Sequence, residues 1–317
     1  MVSVIVPAFN TAHYIGETLD SVFAQSFTDF EVLVVNDGSP DTPQLENVLV
    51  PYLSRIRYLK QDNRGLAAAR NTGIRNAGGD FLIFLDSDDV WLPDFLSEQM
   101  KFFAENPAID MVCADCVYFG ETELAGKSWQ SLNPMEPPIT FEKILPTHGG
   151  AFSSFAVLRS EIVRKVGFFD EQRGVLEDYQ YWLRLLHCGG KLAYLPKVLG
   201  KRRVHSTSVT SNQDVVVPMA INALLRFKQT LDPATPEAVL VGREIALAKS
   251  RQALKEGRVR LATRDYTGAR RSFREANAII PSQKVRLTLL GLSVAPQWTR
   301  WAVCRWDERG KKSSLRP

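Results

Sequence analysis

Two rhythms of apolar residues alternate along residues 1–91. Continuous runs, "VSVIVPAF", "FEVLVVN" and "FLIFL", suit strands buried on both faces, as in a parallel sheet. Between them "YIGETLDSVFAQ", "LENVLVPYLSR" and "GLAAARNTGIRNA" carry helical patterns, and "IRYLKQ" reads as a short strand. The resulting β–α–β–α–β–α–β order predicts a mostly parallel sheet with crossover helices, and Pro7 is expected to stop the first strand. Residues 91–110 read as helix and 111–119 as strand, while 120–147, rich in Pro, Gly and Ser, read as a long loop of the kind that often carries function. "FSSFAVLRSEIVRKVGFFDE" returns to strand and helix, "EDYQYWLRLLHCGG" is an amphipathic helix closed by glycines, and "KLAYLPKVLGKRRVH" is strand-like.

The polar punctuation matters as much as the apolar runs. "PAFN", "NDGS" and "DSDD" follow three of the buried strands, and ligands in open α/β sheets bind beyond the carboxyl ends of the strands. From residue 213 the pattern turns to helix only. This predicts a domain over 1–212, with halves near 1–110 and 111–212, followed by a helical region over 213–317. Around "DYTG", Gly257, Tyr266, Ala269, Phe273, Ala276 and Pro281 stand as in one tetratricopeptide unit. Such a hairpin either packs on the body or offers a face to partners, a second copy included. The segment 285–306 mixes Leu, Val, Trp and Arg and is broken by Pro296. It is too short and too charged to span a bilayer; it suits a membrane interface or a helix packed on the body.

Bulk composition changes little in this picture. The 317 residues include 45% hydrophobic and 23% charged ones, ordinary for a globular chain, and the net charge of +4 does not call for nucleic acid as a partner. "CADC" places Cys113 and Cys116 in an apolar strand with no second CxxC, so two buried thiols are expected in place of a zinc site. Sparse cysteine use suits a reducing compartment, and "MVSVIVPAF" lacks the basic start of a signal peptide. A cytoplasmic location is therefore expected, with the inner face of the cell membrane as the variant that the tail allows.

The chemistry concentrates where strands end. Asp86 and Asp88 lie two residues apart after a buried strand, a pattern that holds a hard cation such as Mg²⁺ or Mn²⁺ together with substrate phosphates, or else a solvated acidic turn. Asp37 in "NDGS" is either a turn residue or an acceptor for a base N–H. Asn63, Arg64 and Arg70 reach the same edge, and arginine suits a diphosphate. Neither GxGxxG after the first strand nor GxxxxGK[ST] is present. Asp89 is expected to cap a helix beginning near Trp91.

Taken in order, "SVIVPAFN", "FEVLVVNDGS", "NRGLAAARNTGI", "FLIFLDSDD", "GFFDE…LEDYQYWLRL" and "RVHSTSVT" resemble the family 2 glycosyltransferases over roughly residues 1–210. The resemblance implies a GT-A fold and inverting transfer from a nucleotide sugar. It implies that Pro7, Phe9 and Asn10 line the nucleotide pocket, that Asp37 binds the base, and that Asn63 and Arg70 lie near the nucleotide. Asp86 and Asp88 match the DxD pair, Asp88 toward the metal and Asp86 also toward the ribose. Asp178 matches the catalytic base, with Glu177 supporting it, and Arg203 and His205 match the block that reaches the diphosphate or the metal. The first acid of the usual pair before "GS" is here Asn36, the aromatic before the late arginine is Arg202, and the QxxRW box of processive synthases is absent. The resemblance further implies a hexosyl or N-acetylhexosaminyl donor, UDP as the usual nucleotide, Mn²⁺ or Mg²⁺ as cofactor, and a glycan or lipid-linked glycan acceptor in surface polysaccharide synthesis. Two other readings compete: a non-catalytic nucleotide-sugar-binding scaffold, which the intact Asp86, Asp88 and Asp178 oppose, and a nucleotidyltransferase, which "PAFNTAHYIGE" opposes because it lacks a glycine- and lysine-rich loop.

Overall fold

The structure, a computed structural model, describes residues 1–147, 153–205 and 213–303. The chain divides into two compact units, Met1–Ala223 and Leu224–Pro317.

The first unit opens with β1 (Val2–Ala8), α1 (Ile15–Phe23), β2 (Phe30–Asp37), α2 (Thr42–Leu49), β3 (Arg57–Gln61), α3 (Leu66–Asn76) and β4 (Phe81–Phe84), the predicted alternation. It continues with β5 (Val90–Trp91), α4 (Phe95–Glu105), β6 (Met111–Gly120), α5 (Trp129–Leu132) and α6 (Phe141–Ile144). Then come β7 (Ala156–Arg159), α7 (Ser160–Val166), α8 (Glu177–His187) and β8 (Leu192–Val204). These strands form one sheet in the order β3-β2-β1-β4-β7-β6-β8-β5. The sheet is mixed: β1 runs parallel to β2 and β4, β2 to β3, and β6 to β8, while β7 lies antiparallel to β4 and β6, and β5 to β8. The carboxyl ends of β1, β2 and β4 therefore open on the same edge.

Pro7 does not end β1. It stays in the strand, in register with Val35 of β2. The reason lies on the other side: Ile5 O accepts from Leu85 N, so odd positions of β1 face β4, and the β4 ladder ends at the Ile5–Phe84 pair. The missing N–H of Pro7 falls where no partner strand needs it. The stretch 120–147 also departs from the expected loop. It folds into α5 and α6 and buries Trp129, Ile139, Phe141, Ile144 and Leu145, apolar residues too irregularly spaced to show a period. Cys113 and Cys116 are buried free thiols in β6, as expected.

The division between the units falls inside α9 (Gln213–Gln229), which begins where the helical pattern was predicted to start. The second unit contains α10 (Pro236–Ala262), α11 (Tyr266–Ile279) and α12 (Gln283–Val294), and residues 296–303 form a further short helix. Thr235 caps α10 by accepting from Ala238 N, and Asp265 caps α11 by accepting from Gly268 N at 2.8 Å. Leu261, Ala269, Phe273, Val285 and Leu292 form its core, so the tetratricopeptide-like hairpin buries its apolar face beneath α12. Gly257 makes the close approach of α10 and α11 possible, because a Cβ there would meet the Phe273 ring at 2.9 Å. Gly257→Val should lose about 1–3 kcal/mol through overpacking; urea unfolding of the full chain reads this as a lower midpoint for the helical unit.

Candidate active site

The turn after β4 gathers the acids. Asp86 and Asp89 are joined by an Asp89 N to Asp86 O hydrogen bond of 3.1 Å, so "DSDD" is a tight turn, and Ser87 Oγ donates to Thr11 Oγ1 at 2.9 Å to tie it to the β1–α1 connection. Each acid meets a different neighbour. Asp86 Oδ1 accepts from Arg70 Nη2 at 2.9 Å. Asp88 Oδ2 lies 3.0 Å from His205 Nε2. Asp89, 4% exposed, accepts from the backbone N–H of Arg203 at 2.9 Å. Asp89 is therefore no helix cap: Trp91 belongs to β5, and α4 starts at Phe95 after Asp94. Burial, together with the Asp88 and Asp86 charges, pushes the Asp89 carboxyl well above the ordinary range, against the pull of the Arg202 guanidinium.

Arg70 crosses beneath this turn. Only 1% exposed, it donates from Nη2 to Asp86 and from Nη1 to Glu177 Oε1 at 2.8 Å, and its guanidinium carbon stands 5.5 Å from the Phe169 ring centroid. Both terminal nitrogens thus serve the chain's own carboxylates. The next residue, Asn71, clamps the "GFFDE" segment by exchanging two hydrogen bonds with the Phe169 backbone, at 2.9 and 2.8 Å. Arg70 and Asn71 are both held on α3, so one helical turn positions both the acidic turn and the approach to α8.

Glu177 and Asp178 form the first turn of α8, where the helix dipole favours negative charge. Desolvation outweighs this. Burial raises the carboxyl pKa of both residues, Arg70 opposes the rise in both, and the mutual charge adds to it for Glu177. Asp178 is also oriented: Oδ2 accepts from Ser153 Oγ at 3.0 Å and Oδ1 from Tyr179 N at 2.7 Å. Ser154, the next residue, faces the other side: its Oγ accepts from Asp86 N at 3.1 Å and donates to the Asp89 side chain. The "SS" pair carries no recognisable motif, and only the fold reveals that it joins the acidic turn to α8.

His205 and Arg203 reach the site from the end of β8. Arg203 donates from Nε to Asp88 O at 2.9 Å, pairs with Glu17, and lies between the rings of Tyr14 and Phe119, 4.7 and 4.3 Å from their centroids. The remaining residues of the "RVHSTSVT" block beyond His205 lie outside the described residues. Phe9 is 48% exposed just after β1, and the following Asn10 takes φ 55° with its N–H donating to Ser39 Oγ at 2.6 Å. Pro7 is buried in β1. Asp37 is 3% exposed and accepts from Gln61 Nε2 at 2.7 Å, Arg64 N at 2.9 Å and Gly65 N at 2.7 Å, so it anchors the loop between β3 and α3. Gly38 is required here: its φ is 61° and a Cβ would meet Asn63 N at 2.6 Å. Asn63 is exposed and its Oδ1 accepts from Arg173 Nη2 at 2.8 Å.

The donor set suits a hard cation held in part by a substrate. Asp88 and His205 already converge, yet among the described residues no three His, Cys, Asp or Glu side chains form a ready-made cage. Mg²⁺ and Mn²⁺ are commonly held by one or two carboxylates with phosphates and water completing the shell.

The family model described as "Glycosyl transferase family 2" matches residues 3–167. The chain belongs to that family. Escherichia coli WfgD, named UDP-Glc:alpha-D-GlcNAc-diphosphoundecaprenol beta-1,3-glucosyltransferase, is 30% identical over 67% of this chain and 81% of its own length. An uncharacterized glycosyltransferase of Rickettsia felis is 30% identical over 65% of this chain, a match spanning 34% of that longer protein. Among solved structures, Staphylococcus aureus TarS 1–349 in complex with UDP-GlcNAc is similar with a TM-score of 0.63 at 19% identity, covering 98% of this chain and 92% of that one. The mannosyltransferase PcManGT of Pyrobaculum calidifontis, in complex with GDP-Man and Mn²⁺, has a TM-score of 0.58 at 20% identity, covering 96% of this chain and 87% of that one. At such identities the structural likeness speaks for the fold, which is the GT-A type expected.

Arg70→Met leaves Glu177 buried without its cation, and breaking a buried pair this way costs about 3–5 kcal/mol. The Asp86 end adds little, because that side chain is 38% exposed and screened by solvent. Chemical denaturation of the full chain is the check; unchanged stability would show that the pair carries no structural weight.

Proposed function

We propose that this chain is a metal-dependent, inverting glycosyltransferase that moves a hexosyl or N-acetylhexosaminyl group from a nucleotide sugar, UDP-linked, to a hydroxyl of a glycan or lipid-linked glycan in surface polysaccharide synthesis. The observation that carries it is the pair of oriented acids on either side of Arg70: the Asp86–Asp88 turn with His205, and Asp178 with Glu177. The UDP-glucose and diphosphoundecaprenol in the name of the Escherichia coli relative, and the UDP-GlcNAc bound by TarS, support the donor and acceptor classes. GDP-Man with Mn²⁺ in PcManGT supports the cation.

Asp88 and His205 would hold the divalent cation, with Asp86 beside them. Bound there, Mn²⁺ or Mg²⁺ supplies positive charge to offset the negative charge that grows on a departing nucleoside diphosphate. Arg203, fixed between Tyr14 and Phe119, adds a second positive group at the same edge. Phe9 and Asn10 present an aromatic face and an amide at the lip of the β1 end, and Asp37 secures the loop on which Asn63 stands. Asp178 receives the proton of the acceptor hydroxyl as that oxygen attacks the anomeric carbon, and one displacement inverts the configuration. Each Asp178 oxygen already takes one hydrogen bond, which fixes the carboxylate and leaves a lone pair for the proton. Its raised pKa makes it a better base than an exposed aspartate, provided that it is ionised.

The sign of the pH dependence follows. Activity requires the Asp178 carboxylate, so the acid limb of kcat/KM should lie above the ordinary aspartate value of about 3.9. Ser153 donates to the ionised form and lowers this pKa, so Ser153→Ala should move the acid limb to higher pH. A pH–rate profile with UDP release as readout tests this, and an unmoved limb argues against Asp178 as the titrating base. Asp178→Asn should reduce transfer by at least about 10²-fold, the lower end of the contribution of general-base catalysis, while a thermal shift by UDP-sugar with Mn²⁺ persists. Full activity in that variant removes the base assignment; loss of the Mn²⁺-dependent shift in Asp88→Asn is the expected sign of the cation site.

A further inference from the structure

α12 is apolar on two sides. Val285, Leu289 and Leu292 turn inward, where they join the core of the second unit with Leu261 and Phe273. Leu287, Leu290 and Val294, at spacings of three and four residues, share another face and are 68%, 63% and 85% exposed. The short helix that follows exposes two further large side chains, Trp298 and Trp301, 73% and 53% exposed, their ring centroids 6.2 Å apart. Five large apolar side chains left exposed within residues 287–301 mark a contact surface.

Charge identifies the occupant. Arg270, Arg274 and Arg286 line a shallow hollow with Leu289, Leu290 and Ser293, so guanidinium groups border the apolar face directly. Arg271, Lys284 and Arg300 add to the same two helices and the segment after them. Glu275 is the only acid within α11, and residues 276–306 contain none. A second copy meeting this face through a twofold axis would set arginines against arginines. Trp and Leu bordered by Arg and Lys instead match the interface of an anionic bilayer, where rings settle at headgroup level and basic side chains meet lipid phosphates. No helix among the described residues is long and apolar enough to cross a membrane, so the contact would lie along the surface.

We propose that the outer face of α12 and residues 296–303, from Leu287 to Trp301 with its arginine border, docks the chain onto the surface of an anionic lipid bilayer. This contact is separate from the transfer chemistry and does not require it.

Flotation of the full chain with vesicles tests the docking. The chain should float with phosphatidylglycerol/phosphatidylcholine vesicles, float much less with phosphatidylcholine alone, and be released as salt rises. Trp298→Ala/Trp301→Ala should weaken partitioning at least about tenfold, the scale expected from withdrawing two large apolar side chains, and Leu290→Glu should act in the same direction. All three residues are exposed, so folding, checked by circular dichroism, should be unchanged. Equal binding to neutral vesicles, equal binding by the variants, or no flotation overturns the proposal. Self-association in analytical ultracentrifugation that the same variants abolish, without flotation, assigns the face to a second copy instead. UDP release assayed without vesicles reports separately on the transfer reading.

Discussion

A single buried guanidinium holds the candidate site in one piece. Arg70 has almost no contact with water, and it satisfies its charge with one carboxylate from the turn after β4 and another from the start of α8. Removing an ion from water is costly, and only close, well-aligned partners offset the cost. That requirement constrains both elements at once. The acidic turn cannot drift outward and α8 cannot slide without stranding a cation, so two segments far apart in the chain keep a fixed distance. Asn71 reinforces this by gripping the backbone that leads toward α8.

Mutual repulsion among Asp86, Asp88 and Asp89 would otherwise splay the turn: the Asp86 charge raises the proton affinity of Asp88, and both raise that of Asp89. The structure distributes them among different partners: Arg70 for the first, His205 for the second, the Arg203 amide and the Arg202 charge for the third. Burial still leaves Asp88 with a raised pKa, the condition in which a divalent cation has most to offer.

Much of this was legible from the chain alone, and the physical reason is locality. The strands β1, β2 and β4 announce themselves as unbroken apolar runs, and their polar ends follow at once, so the acids and the edge on which they cluster could be read directly. The start of α8 at Glu177 was visible in the same way. Two of the misreadings involve a partner remote in sequence, whereas α5 and α6 went unseen because their apolar residues keep no period. Pro7 looks like a strand terminator until the end of the β4 ladder is known. Asp89 looks like a cap until β8 arrives with Arg203. Ser153 and Ser154 carry no signal of their own until each meets an acid.

Those two serines stand next to each other on one backbone turn, yet they address opposite sides of the site. One peptide unit separates them, and the turn that carries both is a single short helical turn, Ser153–Phe155. The acidic turn after β4 and the start of α8, about ninety residues apart in the chain, thus meet on neighbouring residues of one short backbone turn.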